Sequence, residues 1–155
     1  MEAHFYNVDV TWNKERKGIM CSSELNVENG VAKSCIEVAT PPEFPKGIPG
    51  IWSPEHLFTA AASSCLMTTF LSIAENSKLD FTHFKCNSKG KLDQVDGKFM
   101  MTEIILEPTV TISNEKDREK AQRVLQKSEA ACLISNSIKS KVTMIPHIQV
   151  EVINA

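Results

Sequence analysis

Residues 53–76, SPEHLFTAAASSCLMTTFLSIAEN, decide the fold. Ser53 offers an oxygen to cap free backbone N–H groups, and Pro54 brings a preset φ to the first helical position. A helix therefore starts here and should run to about Ser77. From Leu57 to Ala74 no residue carries a charge, and those eighteen positions are long enough to raise the question of a membrane span. Six of them are Ser or Thr and four are Ala, which is too weak a hydrophobicity for that reading. A helix apolar on all sides also fits the centre of a protein core, and that is the expectation.

Upstream, Tyr6, Val8, Val10 and Trp12 alternate with Asn7, Asp9 and Thr11, the period of a strand with one buried face. Ile19 to Glu28 and Val31 to Ala39 flank Asn29-Gly30, a pair that accepts positive φ and predicts a two-residue hairpin turn. Between Thr40 and Trp52 stand Pro41, Pro42, Pro45, Gly47, Pro49 and Gly50, the composition of a long surface loop. Downstream, Phe81 to Leu92 and Lys98 to Leu106 predict a second hairpin around Asp96-Gly97, with the strand continuing past Pro108 to Ile112.

Ala121, Val124, Leu125, Ser128 and Ala131 then recur at helical spacing behind an acidic first turn, predicting a second helix that ends near Cys132. A short helical piece over Leu133 to Lys139 and a last strand over Ile148 to Val152 complete an α+β pattern, with strands outside two core helices.

At 155 residues the chain is expected to form one domain spanning 1–155. Seventeen Lys and Arg against nineteen Asp and Glu leave a formal charge of −2, which gives no electrostatic reason to expect nucleic acid or an acidic membrane as partner. A small molecule or a second copy is the expected partner. Met1-Glu2-Ala3-His4 opens no basic-then-apolar segment, so the expected compartment is the cytoplasm.

Five cysteines, without a C-x-x-C pair, argue against a secreted disulfide framework and against structural zinc. Cys65, in the middle of the apolar helix, reads on its own as an inert core thiol rather than a nucleophile. Cys132 lies where one helix ends and another begins, a place where free N–H groups stabilise a thiolate. Cys21, Cys35 and Cys86 fall in predicted strands and read as small buried hydrophobes. His4, His56, His83 and His147 have no ligand spacing, so neither a metal nor a cofactor is expected. Glu55, at the second helical position, suits the helix dipole. Arg16 and Lys17 read as a solvated turn.

With SPEHLFTAAASSC and ACLISNSI in view, the chain resembles the OsmC/Ohr family of osmotically inducible and organic hydroperoxide resistance proteins. The likeness runs nearly the full length and takes in the turn Arg16-Lys17-Gly18, the proline-rich loop ending in Ser53-Pro54-Glu55, the Cys65 helix and Cys132-Leu133-Ile134-Ser135-Asn136. Leu133 stands where many members have proline, Lys17 where the hydroperoxide-resistance branch is commonly acidic, and Ala60 to Ser64 lacks that branch's glycine and tyrosine. The broader OsmC-like branch is therefore the better match.

The resemblance implies a fold of antiparallel sheets wrapped around two core helices, and an intertwined homodimer with active sites at the interface. It implies a thiol peroxidase acting on organic hydroperoxides, with Cys65 as peroxidatic cysteine and Cys132 as resolving cysteine. Arg16 would hold the thiolate and Glu55 would orient Arg16, with a dithiol or lipoyl group as reductant. Ten residues of helix between Glu55 and Cys65 amount to a rise of about 15 Å, so a site that uses both would draw the glutamate from the partner chain. Two other readings compete: a non-catalytic module that binds a hydrophobic ligand, and a redox sensor that switches a partner without turning over substrate.

Overall fold

The computed structural model describes residues 1–25 and 34–152. The chain divides into two compact units, Met1–Leu57 and Phe58–Ala155.

The first unit holds an antiparallel sheet of three strands in the order β1 (Asp9–Lys14), β2 (Lys17–Cys21) and β3 (Ile36–Ala39). The predicted turn at Asn29-Gly30 lies outside the described residues. The alternation of β1 is real, but the expectation of a buried face is not met. Every residue of β1 is exposed, Val10 at 65% and Trp12 at 73%. The reason is a shortage of cover: among the described residues of this unit, Ala39 and Pro41 are the apolar side chains that are buried.

The proline-rich loop is ordered by its own backbone, with Phe44 N–H donating to Pro41 O, Gly47 N–H to Phe44 O and Ile48 N–H to Thr40 O. Gly47 is required there, because a Cβ would stand 2.0 Å from the Pro41 carbonyl oxygen.

The second unit is built on β5 (Lys98–Ile112), the hub of its sheet. β4 (His83–Val95) pairs with β5 antiparallel through the turn at Asp96 and Gly97, whose φ values of 50° and 76° are those of the predicted hairpin turn. The expected antiparallel pairing holds for β1–β3 and for β4–β5, and the sheet of the second unit is mixed. After α2 (Arg118–Ala131) the chain returns as β6 (Lys141–Met144) and β7 (His147–Val150), both parallel to β5. Parallel pairing follows from the helical crossover.

β6 was not foreseen. It and β7 share one register along β5, interrupted where Pro108 of β5 stands opposite Pro146. Neither proline has an N–H to give the ladder.

Ile104, Leu106, Pro108, Val110 and Ile112 are buried on one face of β5 at a period of two. Against that face pack α1 (Pro54–Asn76), through Ala62, Leu66, Phe70 and Ala74, and α2, through Ala121, Val124 and Leu125. Phe70 stacks its edge on Phe81 and tilts over Phe84, with centroids 5.1 and 4.9 Å away.

Length and composition would let α1 cross a bilayer, with a mean hydropathy of 1.6 in its most apolar window. Instead its stripe at every fourth residue packs on strand residues. The helix is not buried on all sides, however: Met67 and Leu71 are exposed.

Candidate active site

Ser53 and His56 start α1 with a reciprocal cap. The Ser53 hydroxyl accepts the His56 N–H at 3.2 Å, while the Ser53 N–H donates to His56 Nδ1 at 3.3 Å. This is the capping-box arrangement with histidine in the place of glutamate. It fixes Glu55 in the first turn.

Arg16 sits in the β1–β2 turn. Glu15 takes a φ of 50° there, and the Trp12 indole N–H donates to the Glu15 carbonyl at 3.0 Å. The Thr40 N–H donates to the Arg16 carbonyl at 3.1 Å and ties the turn to the proline-rich loop. Arg16 and Glu55 line one cavity of about 550 Å³ in the first unit, together with Val10, Trp12, Val38 and Phe44. Glu15 and Lys17 line it as well, so two cations and two carboxylates share a pocket with apolar side chains.

The second unit brings Cys65 and Cys132 together. Cys132 ends α2 with φ −64° and ψ 109°, and its side chain is fully buried. Its carbonyl accepts the Asn136 N–H at 3.0 Å, and the Ser135 hydroxyl donates to its sulfur at 3.3 Å. The Asn136 side chain in turn donates to Ala130 O at 3.1 Å, and the Ser137 hydroxyl to Leu133 O at 2.7 Å. The tight turn so formed directs the N–H groups of Leu133 and Ile134 at the sulfur of Cys65.

Burial opposes a charge on Cys65. The Ile134 N–H, the Cys132 thiol, the Thr69 hydroxyl and the Leu133 N–H outweigh it, and the thiol is held below its ordinary pKa. The free N–H groups expected beside Cys132 are therefore present, but they serve Cys65.

Cys65 is held from behind as well. The Ser88 hydroxyl on β4 donates to Ser63 at 2.7 Å, two residues before Cys65, and Cys86 lies 3.4 Å from Ser88. Cys86 is a free, partly buried thiol, as expected. Gly90 lets α1 come close, since a Cβ there would stand 2.1 Å from the Thr59 hydroxyl.

The expectation for Cys21 and Cys35 is overturned: they form a disulfide. The observed ladder pairs Gly18 with Val38 and Met20 with Ile36, so the next opposed pair is Cys21 and Cys35. Their Cα atoms are 4.2 Å apart.

The four candidate residues thus fall into two groups, Arg16 with Glu55 in the first unit and Cys65 with Cys132 in the second. Thr69 and the N–H groups of Leu133 and Ile134 were missed. Thr69 lies one helical turn after Cys65, a spacing that could have drawn attention to it.

Residues 47–146 match the family described as OsmC-like protein. The chain belongs to this OsmC-like family. A solved OsmC-like protein of unknown function from Vibrio cholerae is 23% identical, with a TM-score of 0.80 over 93% of this chain and 99% of that one. An organic hydroperoxide resistance protein from Elizabethkingia anophelis is 19% identical, with a TM-score of 0.73 over 97% and 99%. The Bacillus subtilis organic hydroperoxide resistance protein OhrB is 17% identical, with a TM-score of 0.65 over 96% and 98%. At these identities the likeness is one of fold.

The uncharacterized Bacillus subtilis protein YmaD is 25% identical over 95 residues, which make up 59% of this chain and 63% of YmaD. The match to this curated relative thus spans less than two thirds of its length.

Proposed function

We propose that this OsmC-like protein is a cysteine-based peroxidase that reduces organic hydroperoxides to alcohols. The observation that carries the reading is the cradle of Cys65, in which two backbone N–H groups, the Thr69 hydroxyl and the Cys132 thiol favour the thiolate. Only the thiolate attacks a peroxide. Its sulfur takes the distal oxygen, the O–O bond breaks, and the alkoxide leaves with a proton as the alcohol. Cys65 is left as a sulfenic acid.

The Cys132 thiol then displaces hydroxide from that sulfur, which leaves as water, and a Cys65–Cys132 disulfide forms. A dithiol or lipoyl-type reductant restores both thiols and is itself oxidised to a disulfide. Among the described residues, the fully buried Cys132 beside Cys65 favours this order of events, because the more exposed sulfur meets the substrate first.

Arg16 supplies a permanent positive charge to the site, and Glu55 orients it through a bidentate pair. The protein works as a homodimer. Phe5, Tyr6, Val8, Val10 and Trp12 form an uncovered apolar run in the first unit, and a second copy is its expected cover. The chain acts as a single domain in the cytoplasm, without nucleic acid or membrane.

The test is consumption of cumene hydroperoxide and of hydrogen peroxide with excess dithiol. The organic peroxide should be reduced faster, because an apolar pocket favours the organic tail. A preference for hydrogen peroxide, or no consumption of either, contradicts the reading.

A further inference from the structure

The Cys21–Cys35 disulfide has no part in the chemistry described above. It lies one position past the last pair of the β2–β3 ladder, Met20 and Ile36, with four register pairs between it and the Arg16 turn. Just beyond it the Ser34 hydroxyl donates to the Ser22 carbonyl at 3.1 Å, so hydrogen bonding continues past the bridge. Both cysteines are partly exposed, within reach of a small thiolate. In a reducing compartment a disulfide of this kind is transient and redox-active rather than structural.

Three observations give its state a consequence. First, among the described residues of its unit almost no apolar side chain is buried, so the sheet leans on ladder and staple rather than on a core. Second, β2 and β3 supply Lys17, Gly18, Val38 and Ala39 to the wall of the cavity that Arg16 and Glu55 share. Third, Lys17 pairs with Ala39 at one end of the ladder and the disulfide closes the other, with the Lys17–Glu37 ion pair of 2.9 Å between them. That ion pair has an exposed carboxylate and is a weak clamp alone.

We propose that Cys21–Cys35 is a second redox centre, opened and closed by exchange with a dithiol, and that its state sets the order of the Arg16–Glu55 pocket. In opening, a thiolate of the dithiol attacks one cysteine sulfur and the Cys21–Cys35 bond breaks to a mixed disulfide. The second thiol of the dithiol then displaces that cysteine. Two electrons and two protons pass to the protein, and the dithiol leaves as its own disulfide. Closing is the reverse exchange. With the staple open, the β2–β3 ladder loosens and the pocket wall with it. The effect on peroxide binding, unlike the exchange itself, rests on the peroxidase reading.

The experiment uses the full chain carrying Cys65→Ser, which removes the other disulfide, and Trp52→Phe, which leaves Trp12 in the cavity wall as the sole indole. This variant is titrated without denaturant with mixtures of dihydrolipoate and lipoate, then alkylated and read cysteine by cysteine by mass spectrometry, with emission followed in parallel. Cys21 and Cys35 should become labelled together with one two-electron midpoint, and Trp12 emission should shift with the same midpoint. Labelling that needs denaturant, or labelling that leaves Trp12 emission unmoved, overturns the proposal whatever the peroxidase assay gives. In the otherwise native chain, Cys21→Ser with Cys35→Ser mimics the open state and should raise KM for cumene hydroperoxide by about threefold or more, with kcat less affected. An unchanged KM in an active double variant refutes control of the pocket while leaving the peroxidase reading intact.

Discussion

The backbone N–H of Ile134 lies close enough to the sulfur of Cys65 to favour its charged form, so the turn after one cysteine stabilises the thiolate of the other. Donors fixed by a helix end need little reorganisation when charge develops, as at an oxyanion hole. The resolving cysteine is positioned by the same turn, which makes activation and resolution two results of one local fold.

Thr69→Val keeps the shape of its side chain and removes one donor to Cys65. The thiolate loses support, so the pKa of Cys65 should move up towards that of an ordinary thiol. In the native protein the rate of alkylation should rise through a lower pH than for a free cysteine, and the variant's midpoint should lie above the native one. The alkylation rate at Cys65 against pH measures this, and a midpoint unmoved or lowered by the substitution would contradict it.

Arg16→Ala should slow attack on peroxide, and Glu55→Ala should do so less, because the carboxylate only orients the cation. A shared site makes a sharper forecast. Mixing inactive Cys65→Ser subunits with the slowed Arg16→Ala subunits should raise activity above that of either alone, since a heterodimer would hold one intact site. Absence of recovery after proven subunit exchange would place Arg16 in the same subunit as its cysteine, or outside the site.

The uncovered apolar run from Phe5 to Trp12 should mark the dimer contact. Sedimentation should give twice the chain mass of 17.2 kDa at micromolar concentration, and Val8→Asp with Val10→Asp should shift the protein towards monomer. A native monomer would contradict this.

Much of the second unit is readable in the sequence because its cues are local. Ser53-Pro54 starts α1, Asp96-Gly97 turns the hairpin, and the spacing of Ala121, Val124, Leu125 and Ser128 marks the face of α2. What escaped depends on register or on distant partners. The Cys21–Cys35 pairing depends on the register of the β2–β3 ladder, which local composition does not carry, and β6 hides in a short run broken by Pro146. The exposure of β1 could not be read either, since alternation shows that a strand has two faces and not whether anything covers one. At the site, Cys65 and Cys132 were visible through their flanking motifs, whereas the donors from Ile134 and Leu133 are backbone groups that carry no residue signature.

The most direct test that Cys65 and Cys132 form a peroxidatic couple is mass spectrometry of the reduced protein after one equivalent of cumene hydroperoxide. A Cys65–Cys132 disulfide should appear in the native chain. Cys132→Ser should instead accumulate a sulfenic or overoxidised Cys65 after a single turnover, and Cys65→Ser should leave the hydroperoxide unconsumed. Full turnover by Cys65→Ser, or oxidation that bypasses Cys65 in the native protein, would contradict the assignment.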